Sequence, residues 1–585
     1  MQHKNGFCKV YRGYPRCFLK GLFLIVLFCS ISSVWNLLQA RWPLMDDSET
    51  CQDRAMKQVK TENFKVIPVH NAKEIIQAMK TASPGDTLVM QKGEWRDQLI
   101  IFQGQGKPDG FIVLRAAVPG QTLLLGNSSI SIAGAYLTVD GLVFKKGYSK
   151  RDVIEFRKGQ QLAHHCRLTN CVIEDYNPPD PSTDNKWVSL YGTYNRVDHC
   201  FIKGKTNAGT TLVVWLDGQS TYHRIDHNYF GHRPALGANG GETIRIGTST
   251  WSLTDGCATI EDNYFERCDG EIEIISNKSG HNIIRHNTFF ACKGTLTLRH
   301  GNYARVEGNF FFGENIKETG GIRVIGNHQV IINNYLQDLA GTSLRAAISL
   351  MNAQAKPILS GYSPVDSVLV ANNTMINCAE GLVIGSGAGQ RERKVPPDHC
   401  IVINNLIWSK TGRLLNIISQ PLNTRFEANV LYGSEPPLAS PAGFSFKNPR
   451  LQLDRSGPFP IWRIVSATDG SDSKDKRNTG RSMTSPLINK GAQLPLTFFV
   501  AQVSQQPLIN KEGQSNIAGK QTNAPIDNQV RDNHPHPVLR DMDQQLRTDG
   551  GIDIGADEMI NKAANKAGIQ PASPRTTGPI WMKKD

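Results

Sequence analysis

Glu271 and Glu273 stand two residues apart in the stretch Gly270-Glu271-Ile272-Glu273-Ile274-Ile275-Ser276-Asn277-Lys278. In an extended strand alternate side chains share a face, so this spacing predicts two carboxylates side by side. Each raises the other's pKa unless a positive charge lies between them. Hard divalent cations with oxygen ligands supply such a charge, and Ca²⁺ is the usual one in an exported protein. Lys278 follows in the next turn, close enough to serve the same cleft. Taken alone, these residues fit a solvated strand face better than a metal site. The surrounding elements must decide.

Those elements are repeats. From about residue 166 to 432 a polar residue, usually Asn, precedes two apolar ones, as in Asn228-Tyr229-Phe230, Asn263-Tyr264-Phe265 and Asn309-Phe310-Phe311. The same Asn recurs at 287, 334, 373, 405 and 429. Units of this length, with longer excursions and no helical periodicity, predict a solenoid of short strands. Leucine-rich repeats need a different consensus, and propeller blades need longer, more regular units. The prediction is an all-β chain: a right-handed parallel β-helix whose stacked Asn side chains share hydrogen bonds in a ladder. Asn71 to Lys80 has a capping residue and helical apolar spacing, which predicts a short N-terminal capping helix. Cys171 and Cys200 fall at the place that Asn228 holds, and Cys268, Cys292 and Cys378 each lie five residues after a repeat Asn. Equivalent places in a stack favour packing over redox roles, with disulfides between coils as the alternative.

The chain of 585 residues carries a net charge of +13, which favours an anionic partner. Lys4, Lys9, Arg12, Arg16 and Lys20 precede the apolar run from Gly21 to Ile31. That order predicts a secretory signal over residues 1–40, and hence a secreted or periplasmic protein; an uncleaved membrane anchor facing outside is the alternative. Export disfavours nucleic acid as the partner. Residues 41–60 read as a linker, 61–433 as the β-helix, 434–558 as irregular C-terminal coils that cap it, and 559–585 as a disordered tail.

Counting from the repeat Asn places Thr295, Thr297 and Arg299 on the coil after the acidic pair, on the same face, with Arg323 one coil further. The coil before brings Asn239-Gly240-Gly241-Glu242-Thr243-Ile244-Arg245. One face then gathers an amide, two carboxylates, a lysine and several arginines, which suits a metal and an anionic substrate better than packing.

Here the chain resembles a known family. The strings Asn239 to Gly247, Glu271 to Ser279 and Leu296 to Gly301, with Lys186 to Gly192 and Ile552 to Glu558, are similar to polysaccharide lyase family six, which holds alginate lyases and chondroitinase B. The resemblance covers roughly residues 60 to 558 and implies a parallel β-helix. It implies Asn239, Glu271 and Glu273 as Ca²⁺ ligands, Lys278 as Brønsted base, Arg299 as acid and Arg323 as a substrate contact. For Arg245 and His300 it implies only proximity to substrate. Arg245 can equally pair with Glu242, and His300, His281 and His286 read as turn or surface histidines. The implied reaction is β-elimination on an anionic uronate polysaccharide, alginate first. Dermatan sulfate, or a silent acidic-glycan-binding β-helix, are the alternatives.

Overall fold

The structure is a computed structural model and describes residues 64–434, 436, 442–464 and 570–583. Three sheets of 14 strands each run along a β-helix, paired in parallel except where Arg157–Lys158 meets Gln161–His164. Sheet A starts at Val66–Val69, sheet B at Gly93–Arg96, and sheet C contains Glu273–Lys278. Inward side chains such as Ile225, Ile260, Ile284, Val306 and Ile331 stack along the axis in one continuous core.

The turn from sheet A to sheet B explains why Asn repeats. A residue with positive φ, such as His227, Asp262 or His286, reverses the chain there. The following Asn then bonds to the next coil: both the backbone N–H and Nδ2 of Asn287 donate to Asn309 Oδ1, at 3.0 and 3.0 Å. The pattern runs unbroken from Asn228 through Asn263, Asn287, Asn309, Asn334, Asn373 and Asn405 to Asn429. Each side chain is fully buried, so every donor and acceptor needs its partner, at about 1–3 kcal/mol for one left unmade. Cys200 opens the ladder by donating its N–H to Asn228 Oδ1 at 2.9 Å. The eight described cysteines are all free, and all but Cys257 are buried. No coil-to-coil disulfide occurs among the described residues.

The helix Ala72–Met79 forms as predicted. Asn71 caps it by accepting from the Glu74 N–H at 3.0 Å, and Glu74 returns a bond from the His70 N–H at 2.8 Å. Its Ile75 enters the core.

The outer face of sheet A is laced by ion pairs between coils. Arg167 grips Asp198 in bidentate fashion (2.7 and 2.6 Å) and Arg196 does the same to Asp226 (2.8 and 2.6 Å). Burial opposes ionisation of Asp198, but hydrogen bonds from Arg167 and His199 outweigh it and hold the carboxyl well below the usual range. A carboxyl lowered by folding adds stability above its unfolded pKa, near 4, and loses it as pH falls toward the folded value. Asp198→Asn is therefore expected to lower the melting temperature by about 2–5 °C at pH 7. That gap should narrow steadily below about pH 4, as thermal melts across pH will show.

After Tyr432 one more strand, Phe444–Phe446, joins sheet B. The chain then lays an antiparallel hairpin, Leu451–Asp454 with Ile461–Ile464, over the outer face of that sheet. Ile461 packs with Phe310, Phe312, Tyr335 and Ile376, and the Trp462 N–H donates to Tyr335 Oη at 2.8 Å. The disordered tail expected over 559–585 does not hold for residues 570–583. Ala572 packs on Tyr229 and Tyr264, the Ile580 N–H reaches Asn170 Oδ1 at 3.1 Å, and Trp581 Nε1 donates to Asn170 O at 2.9 Å. Outward aromatics on sheet B give this polar-looking segment an apolar seat, which local composition does not reveal. The string Ile552 to Glu558 and residues 1–63 lie outside the described residues.

Candidate active site

The site is built from the loop before one sheet C strand and the outward faces of the next three. Arg233, buried beneath that loop, spreads its guanidinium over Glu242 O and Gly209 O, each at 2.8 Å, and Thr211 Oγ1 at 2.9 Å. Burial pushes this guanidinium down to about 10, against the neighbouring Glu242. Two glycines then bring the backbone against Glu271. Gly240 has φ +97°, and a Cβ on Gly241 would lie 2.3 Å from Gly270 O. The amides of Gly240 and Gly241 both donate to Glu271 Oε2, at 3.0 and 3.4 Å. Asn239, the residue before them, is exposed on the same loop.

Glu271 is not on the strand. The strand starts at Glu273, and its register with Gly294–His300 slips between Glu273 and Ile275. Glu273 pairs with Thr295 and Ser276 with Thr297, so the alignment read from the repeat Asn is two residues out at Glu273. The coil from Asn263 is two residues longer than the one from Asn287; both fall before Glu273, the bulge adds a third, and the register returns one between Asn277 and Lys278. The carboxylates still converge, and a third joins them. Glu242, Glu271 and Glu273 each place an oxygen within 4.8 Å of the others. Burial, then Glu242, then Glu273 push the Glu271 carboxyl up to about 7.

Such crowding of half-compensated acids fits a hard divalent cation with oxygen ligands, and Glu242, Glu271 and Glu273 are the residues that can hold one. Glu273 also accepts from Ser276 Oγ and from Arg323, so its charge is shared.

Lys278 ends the strand rather than following it in a turn. Its Nζ lies 3.7 Å from Glu242 Oε1, with the side chain 17% exposed. Arg323 stands across from Thr297 on the second coil beyond, buried to 3%. Arg299 Nε is 3.7 Å from Glu273 Oε1, while its Nη atoms donate to Gly361 O (2.7 Å) and Ser360 O (2.9 Å). Lys278, Arg299, Arg323 and the two predicted acids are thus brought together.

A match to the family model described as chondroitinase B spans residues 69–444. The chain belongs to polysaccharide lyase family 6. Among solved structures it is similar to the family 6 alginate lyase AlyGC, at 41% identity and TM-score 0.64, over 68% of this chain and 55% of that one. It is also similar to a mannuronic acid specific family 6 lyase from human gut microbiota, at 32% identity and TM-score 0.61, over 66% of this chain and 91% of that one. The chain therefore spans little more than half the length of AlyGC. No protein with a curated functional description matches.

The remaining members of this lyase-family site sit at its margin. Arg245 does not pair with Glu242; its guanidinium packs on Trp215, 5.2 Å from the ring centroid, and it forms no ion pair among the described residues. His300 is buried, with Nε2 3.1 Å from Ser249 Oγ and Nδ1 3.5 Å from Arg299. Burial, then Arg299 and Lys278, push its imidazole down to about 3, so it stays neutral. Sequence reasoning treated Glu242 as a partner for Arg245 and missed it as the third acid. The available signal was its place directly after two glycines, at the end of the loop that meets Glu271.

Proposed function

We propose that this protein is a polysaccharide lyase that cleaves an anionic uronate polymer, alginate first, by β-elimination. The observation that carries the reading is Lys278 set against the three-carboxylate cluster, with Arg299 and Arg323 on the adjoining coils. A divalent cation, calcium in the first instance, held by Glu242, Glu271 and Glu273 with Asn239 at the loop edge, would neutralise the substrate carboxylate and acidify the adjacent C5–H.

Lys278 Nζ, half-buried and close to that cluster, takes the C5 proton as the C4–O bond breaks and the C4=C5 double bond forms. Arg323 is anchored on Glu273 and presents a fixed positive charge toward the substrate acid. Arg299 is a poor literal acid, because guanidinium hardly releases protons. It stabilises charge on the departing oxygen, which takes its proton from solvent.

Alginate is preferred because the similar solved lyases at 41% and 32% identity are described as acting on alginate and on mannuronic acid. The family model's description keeps a dermatan sulfate substrate as the second reading. Export through residues 1–40 belongs to the proposal and rests on the basic-then-apolar order there. The test mixes the purified protein with alginate and with dermatan sulfate and follows the absorbance of the unsaturated product. Alginate is expected to give the faster rise, and no rise with either polymer would sink the reading.

A further inference from the structure

Arg299 has two sets of partners that pull it in different directions. Glu273 is 3.7 Å away, close enough to attract the guanidinium but not closed into a hydrogen bond. On the other side stands a strap that leaves sheet C two coils further on. Its base is an antiparallel pairing of Ala353–Gln354 with Arg393–Val395. The strap reaches back so that Ser360 O and Gly361 O accept from Arg299, and the Tyr362 ring lies under the guanidinium at 4.5 Å.

Tyr362 is held at its backbone. Tyr362 N–H donates to Gln354 Oε1 and Gln354 N–H to Tyr362 O, both at 3.0 Å. A second guanidinium, that of the buried Arg393, also lies 4.5 Å from the ring centroid and is pinned by Gln390 O and Oε1 at 3.0 and 2.8 Å. An arginine free to move would close on Glu273, where Arg323 already sits, and would leave the cleft.

We propose that Tyr362 is a positioning residue: its ring, with the Ser360 and Gly361 carbonyls, holds Arg299 off Glu273 and aimed at the leaving oxygen. This rests on the reading of Arg299 as the partner of that oxygen. Loss of one cation–π contact and the alignment it enforces is worth about a tenfold change in rate.

The test is a double-mutant cycle on alginate with Tyr362→Ala, Tyr362→Phe, Arg299→Ala and the Tyr362→Ala/Arg299→Ala pair. Tyr362→Ala is expected to lower kcat about tenfold with KM within about threefold. Tyr362→Phe, which keeps the ring face, should retain wild-type kcat. In the Arg299→Ala background, Tyr362→Ala should cost nothing further, an outcome that general damage to the fold would not produce. Additive losses in the cycle, or Tyr362→Phe as damaging as Tyr362→Ala, overturn the positioning role. Wild type without unsaturated product overturns the lyase reading and this one with it. Wild-type kcat in Arg299→Ala overturns this one alone.

Discussion

Lys278→Ala is expected to fold normally and to lose about 10²–10⁴ in kcat on alginate, with a much smaller change in KM. The side chain ends a strand whose other residues, Ile275 and Asn277 among them, are buried, while Nζ lies 3.7 Å from Glu242 Oε1. Truncation therefore removes a proton acceptor without opening a cavity in the core. Lys278→Arg should not restore the rate, since a guanidinium keeps its proton where an amine can release one. Initial rates of unsaturated product, with melting curves as the control for folding, check both variants. Loss of less than about tenfold in Lys278→Ala would place the base elsewhere.

Removing bound cations with a chelator is expected to cost at least about 10² in rate, restored by added Ca²⁺. The structure adds a sign to this. Without a cation, burial and the charges of Glu242 and Glu273 hold the Glu271 carboxyl near 7, so at neutral pH a good fraction carries a proton. A ligand must be deprotonated, so binding a cation releases that proton, and affinity falls as pH drops through about 7. Calorimetric titration with Ca²⁺ at pH 6 and pH 8 should show tighter binding at pH 8, and at pH 6 an apparent enthalpy that varies with the buffer's ionisation enthalpy as the released proton is taken up. Glu271→Gln should weaken binding and flatten this pH dependence. Equal affinity at both pH values would remove Glu271 from the ligand set.

The architecture was legible because its cause is local and periodic. One Asn per coil must satisfy a buried turn, so it recurs wherever the turn recurs, and Asn263, Asn287 and Asn309 can be read as a stack before any coordinates exist. The same counting brought Arg299 to the acidic pair. It failed by two residues at Glu273, because the coil carries two extra residues ahead of that strand, which no periodic count contains. Glu242 was harder to see for a related reason. Its carboxylate comes in from the end of a loop held by Arg233, not from the ladder of strands. The strap was out of reach altogether, since Tyr362 meets Arg299 only after two intervening coils have been laid down. The segment 570–583 looked unstructured because its anchors, Tyr229 and Tyr264, lie more than 300 residues earlier in the chain.

The buried thiols have a bearing on how the coils stay together under changing redox conditions. Burial pushes Cys166, Cys171, Cys378 and Cys400 up to about 12, leaving a thiolate fraction on the order of 10⁻⁵ at neutral pH. Thiolate is the species that attacks disulfides and oxidants, so these sulfurs are chemically quiet once the coils have closed over them. Coil-to-coil cohesion comes from amide ladders and ion pairs, neither of which responds to redox potential. Among the described residues the solenoid's contacts therefore call for no disulfide, and a change of redox potential leaves them as they are.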